Sequence, residues 1–71
     1  MNGNELLRKL NRLGRARGVD VRVDKEQGKG SHATVYVGGR FTVIKDRRKE
    51  IGPGLLHSML RQLALTERDL N

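Results

Sequence analysis

Apolar residues recur every three or four positions towards both ends of the chain and every second position in its middle. In the first part, Leu6, Leu10 and Leu13 fall on one side of a helix, and Leu7 widens that stripe. The spacing predicts an amphipathic helix over residues 4–17. Suitable capping residues are Asn2 or Asn4 at its start, and Gly18, in preference to Gly14, at its end.

Three strands are predicted between the ends. Residues 19–24 alternate strictly between valine and a polar residue, so the three valines face the core. A polar, glycine-bearing loop over residues 25–30 leads to a second strand over residues 31–37. The glycines at 38–39 favour a tight hairpin, and a third strand follows over residues 40–45.

The second strand has two unlike faces. Neighbouring side chains on a strand point to opposite sides. In the third strand this alternation does not decide which face is buried, because Phe41 and Val43 lie on one side and Ile44 on the other. In the second strand Ala33, Val35 and Val37 form the apolar face, and His32, Thr34 and Tyr36 form the polar one.

A second helix is predicted to begin at residues 52–54, where Pro53 suits the first helical position. It should end near residues 64–65, and the capping pattern at residues 66–69 leaves room for a turn at most. Its apolar stripe consists of Leu55, Leu56, Met59, Leu60 and Leu63.

These elements predict one α+β domain over residues 1–71. The order is helix, three antiparallel strands, helix. The economical packing places both helices on the same face of the sheet, because each strand has one apolar face and each helix one apolar stripe. The opposite face is left open and carries the polar side of the second strand.

Composition narrows the classes of partner. Lysine and arginine number 15 against 8 acidic residues, a net charge of +7, which favours a polyanion such as nucleic acid. There is no cysteine and there are two histidines, so we expect no structural metal site. No apolar run suits a membrane span or a signal peptide, so we expect a cytoplasmic protein. Two aromatic residues make a stacking platform for single-stranded bases hard to build.

The segment over residues 28–32, Gly-Lys-Gly-Ser-His, carries the candidate chemistry. It leads into a strand rather than a helix, which argues against a nucleotide-binding P-loop. Histidine exchanges protons near neutral pH, so His32 among cations suits removal of the proton from a ribose 2′-hydroxyl. This reaction needs no metal. From the residues alone, an ordinary strand histidine at a sheet edge is the simpler interpretation.

The same segment, followed by Tyr36, resembles the Gly-Ser-His signature of the HicA family of mRNA interferase toxins. The similarity extends over about residues 6–65, and a closing pattern has similar spacing. That closing pattern comprises Thr42-Val43, Lys49-Glu50-Ile51, Gly54-Leu55 and Met59-Leu60-Arg61-Gln62-Leu63.

The resemblance implies a double-stranded-RNA-binding-like fold and a metal-independent endoribonuclease that cleaves mRNA, as the toxin of a type II toxin–antitoxin system. It implies His32 as general acid and base, Ser31 beside it, no cofactor, and a HicB-type antitoxin that masks the histidine. Many members carry Pro-x-His after the third strand, where this chain has Ile44, Lys45 and Asp46. An acidic group there would repel phosphate. The loop over residues 18–30 also exceeds that of many relatives.

Further candidates surround this segment. Tyr36 could stack on a base or pack across the strands, and His57 is interpreted as a boundary residue with no part in catalysis. A solvated turn is an equal alternative for residues 47–49. The candidate phosphate contacts are Lys29, Lys45, Arg47, Arg48 and Lys49.

Three hypotheses therefore stand. The first is an RNA endonuclease toxin that uses His32. The second is a non-catalytic binder of structured RNA, which would show salt-sensitive binding without cleavage. The third is a protein-interaction module whose basic face docks an acidic partner. The first and third are compatible, because a toxin also needs an antitoxin.

Overall fold

The computed structural model describes residues 1–25, 30 and 32–71. Its elements follow the predicted order. They are helix α1 Gly3–Arg17, strands β1 Val21–Lys25, β2 Ala33–Val37 and β3 Arg40–Ile44, helix α2 Pro53–Gln62, and a short 3₁₀ turn Glu67–Leu70.

The three strands form one antiparallel sheet in the order β1-β2-β3. The two glycines between β2 and β3 close a two-residue hairpin, and Gly38 adopts a φ of 60° that a side chain would disfavour. This short connection aligns Val37 with Arg40 and therefore Tyr36 with Phe41. On the other side of β2, Arg22 lies opposite Tyr36.

Both helices pack on one face of the sheet, as expected, and this is the double-stranded-RNA-binding-like α-β-β-β-α arrangement. Asn2 caps α1 by accepting a hydrogen bond from the Glu5 amide at 2.9 Å, and Gly18 ends α1 with a φ of 66°. The shared core contains Leu6, Leu7, Leu10, Val35, Val37, Ile44, Ile51, Leu56, Met59, Leu60, Leu63 and Leu70.

The structure shows which face of β3 is buried, a point that the sequence did not decide. Thr42 and Ile44 point inward, whereas Phe41 and Val43 are exposed on the opposite face. The inward threonine does not leave a buried polar group unpaired, because its hydroxyl donates a hydrogen bond to the Gln62 side chain. The apolar residues of β3 alone could not decide between the two faces, because this partner of Thr42 is distant in sequence.

Helix α2 is shorter than predicted. It ends at Gln62 because Ala64 adopts the left-handed conformation, with a φ of 58°, and the Leu65 amide returns to the Leu60 carbonyl at 2.8 Å. Leu55 is also not part of the buried stripe, since it is 59% exposed at the first turn of the helix.

The 3₁₀ turn is held against α1. Asp69 accepts hydrogen bonds from the backbone and hydroxyl of Thr66 and forms an ion pair of 2.7 Å with Arg17. These contacts, the Thr66 backbone first, lower the pKa of the Asp69 carboxyl below its usual 3.8. They also place Leu70 in the core, which a turn prediction did not anticipate.

Candidate functional site

His32 lies at the mouth of a cleft between the end of β3 and the start of α2. It directly precedes β2 and is half-buried. The cleft measures about 530 Å³, a size that admits part of a nucleotide chain rather than a deeply enclosed ligand. Its lining consists of His32, Val43, Ile44, Lys45, Asp46, Lys49, Glu50, Ile51, Leu55 and Met59.

The cleft combines cations with an apolar wall. Lys45 and Lys49 are exposed and line it, and a lysine ammonium group is a common partner of phosphate. Exposed Leu55 contributes apolar surface to the same lining. The structure thus brings together three of the residues that the sequence selected, the histidine and these two lysines.

Asp46 has a structural role that the sequence analysis missed. Its Oδ1 accepts a hydrogen bond of 3.0 Å from the Arg48 amide and lies 3.6 Å from the Arg48 guanidinium. The carboxylate therefore holds the turn after β3, as aspartate commonly does in turns. Its charge is offset in part by the arginine beside it, which weakens the repulsion expected towards phosphate.

The two predicted arginines of this turn differ in position. Arg48 is exposed and paired with Asp46, away from the cleft lining. Arg47 is half-buried, and its carbonyl accepts a hydrogen bond of 3.0 Å from the Asn4 amide at the start of α1. The backbone of Arg47 therefore anchors the turn to the fold, whereas the side chain of Arg48 is exposed beside Asp46.

Tyr36 lies elsewhere, on the open face of the sheet. The Arg22 guanidinium carbon is 4.4 Å from the centroid of its ring, and the ring of Phe41 is 6.0 Å away on the other side. Neither Arg22 nor Phe41 was selected from the sequence. The two-residue hairpin could have revealed Phe41, because it fixes the Tyr36–Phe41 pair, whereas the register of β1 has no such signal.

The remaining predicted positions divide clearly. Lys29 and Ser31 lie outside the described residues. His57 is exposed on α2 and does not line the cleft, in keeping with its interpretation as a boundary residue.

Two absences concern the part of the chain that the structure describes. Within residues 1–25, 30 and 32–71, no three histidine, cysteine, aspartate or glutamate side chains are grouped as a metal site would require. Across the same residues, no helix has the length and apolar character needed to cross a bilayer.

Comparison with known proteins places the chain in a family. It is 44% identical over 46 residues to a protein of Pseudomonas fluorescens (strain Pf0-1) named "Probable mRNA interferase HicA". The matched segment covers 63% of this chain and 77% of that relative. The chain belongs to the HicA-type mRNA interferase family. No family model matches it, and no solved structure matches it.

Residues named with the family resemblance line the cleft. The Gly-Ser-His segment quoted above ends at His32, which is the point where the chain enters both β2 and the cleft. Asp46, the position at which the sequence predicts a departure from many relatives, lines the same cleft.

Proposed function

We propose that this chain is the toxin of a type II toxin–antitoxin system, a cytoplasmic endoribonuclease that cleaves mRNA with His32 as general acid and base. One observation carries the proposal. In a member of the HicA family, His32, which the resemblance implies to be the signature histidine, lies at a cleft that Lys45 and Lys49 also line.

The proposed reaction begins with proton transfer. The neutral His32 imidazole accepts the proton of a ribose 2′-hydroxyl, and O2′ attacks the adjacent phosphorus. As the O2′–P bond forms, the P–O5′ bond breaks, and the leaving O5′ takes up a proton that solvent or the imidazolium supplies. The products are a 2′,3′-cyclic phosphate and a 5′-hydroxyl end.

The two lysines would stabilise the phosphorane. Negative charge grows on the non-bridging oxygens as O2′ attacks, and fixed cations are most effective where that charge develops. Lys45 and Lys49 both line the cleft, on either side of the turn that Asp46 closes. Lys29, Ser31, Arg47 and Arg48 complete the proposed RNA contacts, with no metal or other cofactor taking part.

A comparison of the chain's two histidines tests this function. Purified wild type, His32→Ala and His57→Ala are incubated with single-stranded mRNA in EDTA, and growth inhibition is scored in cells. We expect His32→Ala to lower the cleavage rate by about 100-fold or more and to abolish toxicity. His57→Ala should retain both. Cleavage by His32→Ala at the wild-type rate would refute the proposal, and RNA binding without cleavage by wild type would favour the non-catalytic binder.

Asp46 offers a second test within the same cleft. Asp46→Asn keeps an oxygen that can accept a hydrogen bond from the Arg48 amide, so the turn should persist while the charge is removed. If the carboxylate repels the substrate phosphate, cleavage by Asp46→Asn should rise several-fold, most clearly at low salt. A fall in cleavage with an unchanged fold would instead assign Asp46 a direct part in the reaction.

The proposed partner is a HicB-type antitoxin that binds over the cleft. The Lys45 and Lys49 ammonium groups would attract acidic side chains of such a protein, and exposed Leu55 would add apolar contact. We expect the protein encoded beside this chain to inhibit cleavage and to bind His32→Ala as tightly as wild type. Inhibition without a complex would contradict direct masking.

A further inference from the structure

Three planar side chains form a row across the open face of the sheet. Arg22, Tyr36 and Phe41 occupy matched positions on β1, β2 and β3. The guanidinium carbon lies 4.4 Å from the tyrosine centroid, and the two rings are 6.0 Å apart with a tilt of 41°. We call these three residues the planar row.

The row is accessible at its β3 end. Phe41 is 57% exposed, although a ring of this size gains substantially from burial. Tyr36 is half-buried between its two neighbours, so it supports the Phe41 ring from the side. An exposed aromatic ring held by a second ring and a guanidinium is the arrangement on which a nucleobase stacks.

Charge favours a nucleic acid as the occupant. The chain carries a net charge of +7, and the row itself contributes the Arg22 guanidinium. A guanidinium can stack on a base and bind phosphate at once. Among the described residues, acidic groups lie near the β1 end of the row: Asp24, which is opposite Thr34, and Asp20, which lines a hollow with Arg22 and Tyr36. The RNA should therefore lie mainly over the Tyr36–Phe41 part of the row, with the Arg22 guanidinium at its edge.

The row lies on the His32 side of β2. His32, Thr34 and Tyr36 alternate with the buried Ala33, Val35 and Val37. His32 and Tyr36 are four positions apart, which corresponds to about 13 Å at the usual rise per residue of an extended chain. A few nucleotides of unpaired RNA can span that separation, with the scissile linkage at the cleft and a neighbouring base on Phe41.

We infer that the planar row is a stacking site for an unpaired nucleobase of the RNA substrate, so that the enzyme selects single-stranded rather than duplex RNA. The inference rests on the proposed function in taking RNA as the ligand. A duplex keeps its bases stacked inside and presents no free base face to Phe41, whereas an unpaired strand does. The two aromatic residues alone predict no such platform, whereas the structure adds Arg22 as a third planar group.

Binding measured without cleavage tests this inference. Fluorescence anisotropy measures how tightly the His32→Ala protein binds two labelled RNAs. One is a mixed-sequence single strand, and the other is a duplex of the same composition. Adding Phe41→Leu or Tyr36→Leu should weaken single-strand binding by about 5- to 150-fold, the range of one base–aromatic stack. Phe41→Tyr and Tyr36→Phe keep the π face and should bind within about twofold of the parent.

Salt dependence separates stacking from charge. Phe41→Leu should leave the slope of affinity against salt unchanged, whereas Arg22→Gln should reduce it. Three results would overturn the inference. The leucine variants could lose affinity equally for the single strand and the duplex, the His32→Ala parent could bind the duplex more tightly, or both leucine variants could bind the single strand as tightly as that parent. Circular dichroism confirms that each variant is folded. A stacking effect in a protein whose wild type does not cleave RNA would support the planar row and refute the proposed nuclease separately.

Discussion

The two faces of β2 are built from alternating residues of one five-residue strand, yet they have different tasks. Val35 has no exposed surface and lies at the centre of the core. Its neighbours Thr34 and Tyr36 face the open side, and Tyr36 belongs to the planar row. In a chain of 71 residues this alternation lets function be added with little loss of core. Substitutions should therefore affect stability on one face and RNA on the other.

The largest effect on stability should come from Gly3, where the start of α1 lies against the end of β3. A Cβ on Gly3 would lie 2.7 Å from an Ile44 methyl and 2.8 Å from the Arg47 Cα. Because backbone cannot yield as a flexible side chain does, we expect Gly3→Ala to lower the free energy of unfolding by about 2–3 kcal/mol.

The first turn of α2 supplies the matched control for this change. A Cβ on Gly54 meets nothing within 4 Å, so Gly54→Ala should be neutral or slightly stabilising. Urea unfolding of both variants measures the difference. Equal stability of the two would show that α1 is not packed as tightly on the sheet as the distances require.

Two single substitutions at adjacent positions, one on each face of β2, test the difference between the faces directly. Val35→Thr places a hydroxyl in the core without a designated hydrogen-bond partner, and it should lower the free energy of unfolding by about 1–3 kcal/mol. Thr34→Val on the open face should change it by no more than about 0.5 kcal/mol. Similar costs for both changes would contradict the division between the faces.

Thr42 is the polar exception on the inner face and should produce a smaller effect. Thr42→Val removes the hydrogen bond to Gln62, but the exposed amide of Gln62 can turn to water. We expect a loss of about 1 kcal/mol or less in chemical denaturation. A loss of several kcal/mol would mean that the pair organises the contact between β3 and α2.

The smallest effect should be confined to the 3₁₀ turn and should depend on pH. Because the pKa of Asp69 is lowered in the folded chain, the carboxylate stabilises the fold above its unfolded pKa near 3.8. That contribution is lost as the pH falls through the lower folded value. Asp69→Asn should thus be slightly less stable than wild type at pH 7, and the gap should close in acid. A gap that does not narrow at all from pH 7 into strong acid would assign the effect to packing.

The fold was largely predictable from sequence because its signals are local. The leucine spacing of α1, its capping residues Asn2 and Gly18, and the valine alternation of β1 and β2 each act within a few residues. The departures have tertiary causes. Thr42 faces inward because Gln62 pairs with it, and Leu70 is buried because Asp69 pairs with Arg17.

The candidate site was predictable only in part. His32, Lys45 and Lys49 lie at one cleft, as residues near a strand end and the following turn can. Arg22 was not predictable, because its position opposite Tyr36 depends on the register of β1 against β2, and the sequence between them is too long to be a two-residue hairpin turn. The turn role of Asp46 was missed because its side chain acts on the backbone two residues later.

The chemical ends of the cleaved RNA test the central claim most directly. Fragments produced by wild type in EDTA are analysed for the groups at each new terminus. Attack by a 2′-hydroxyl that His32 activates predicts 5′-hydroxyl ends together with 2′,3′-cyclic phosphate or 3′-phosphate ends, and no fragments from His32→Ala. Fragments with 5′-phosphate and 3′-hydroxyl ends would show that water attacks the phosphate, and would contradict the proposed role of His32.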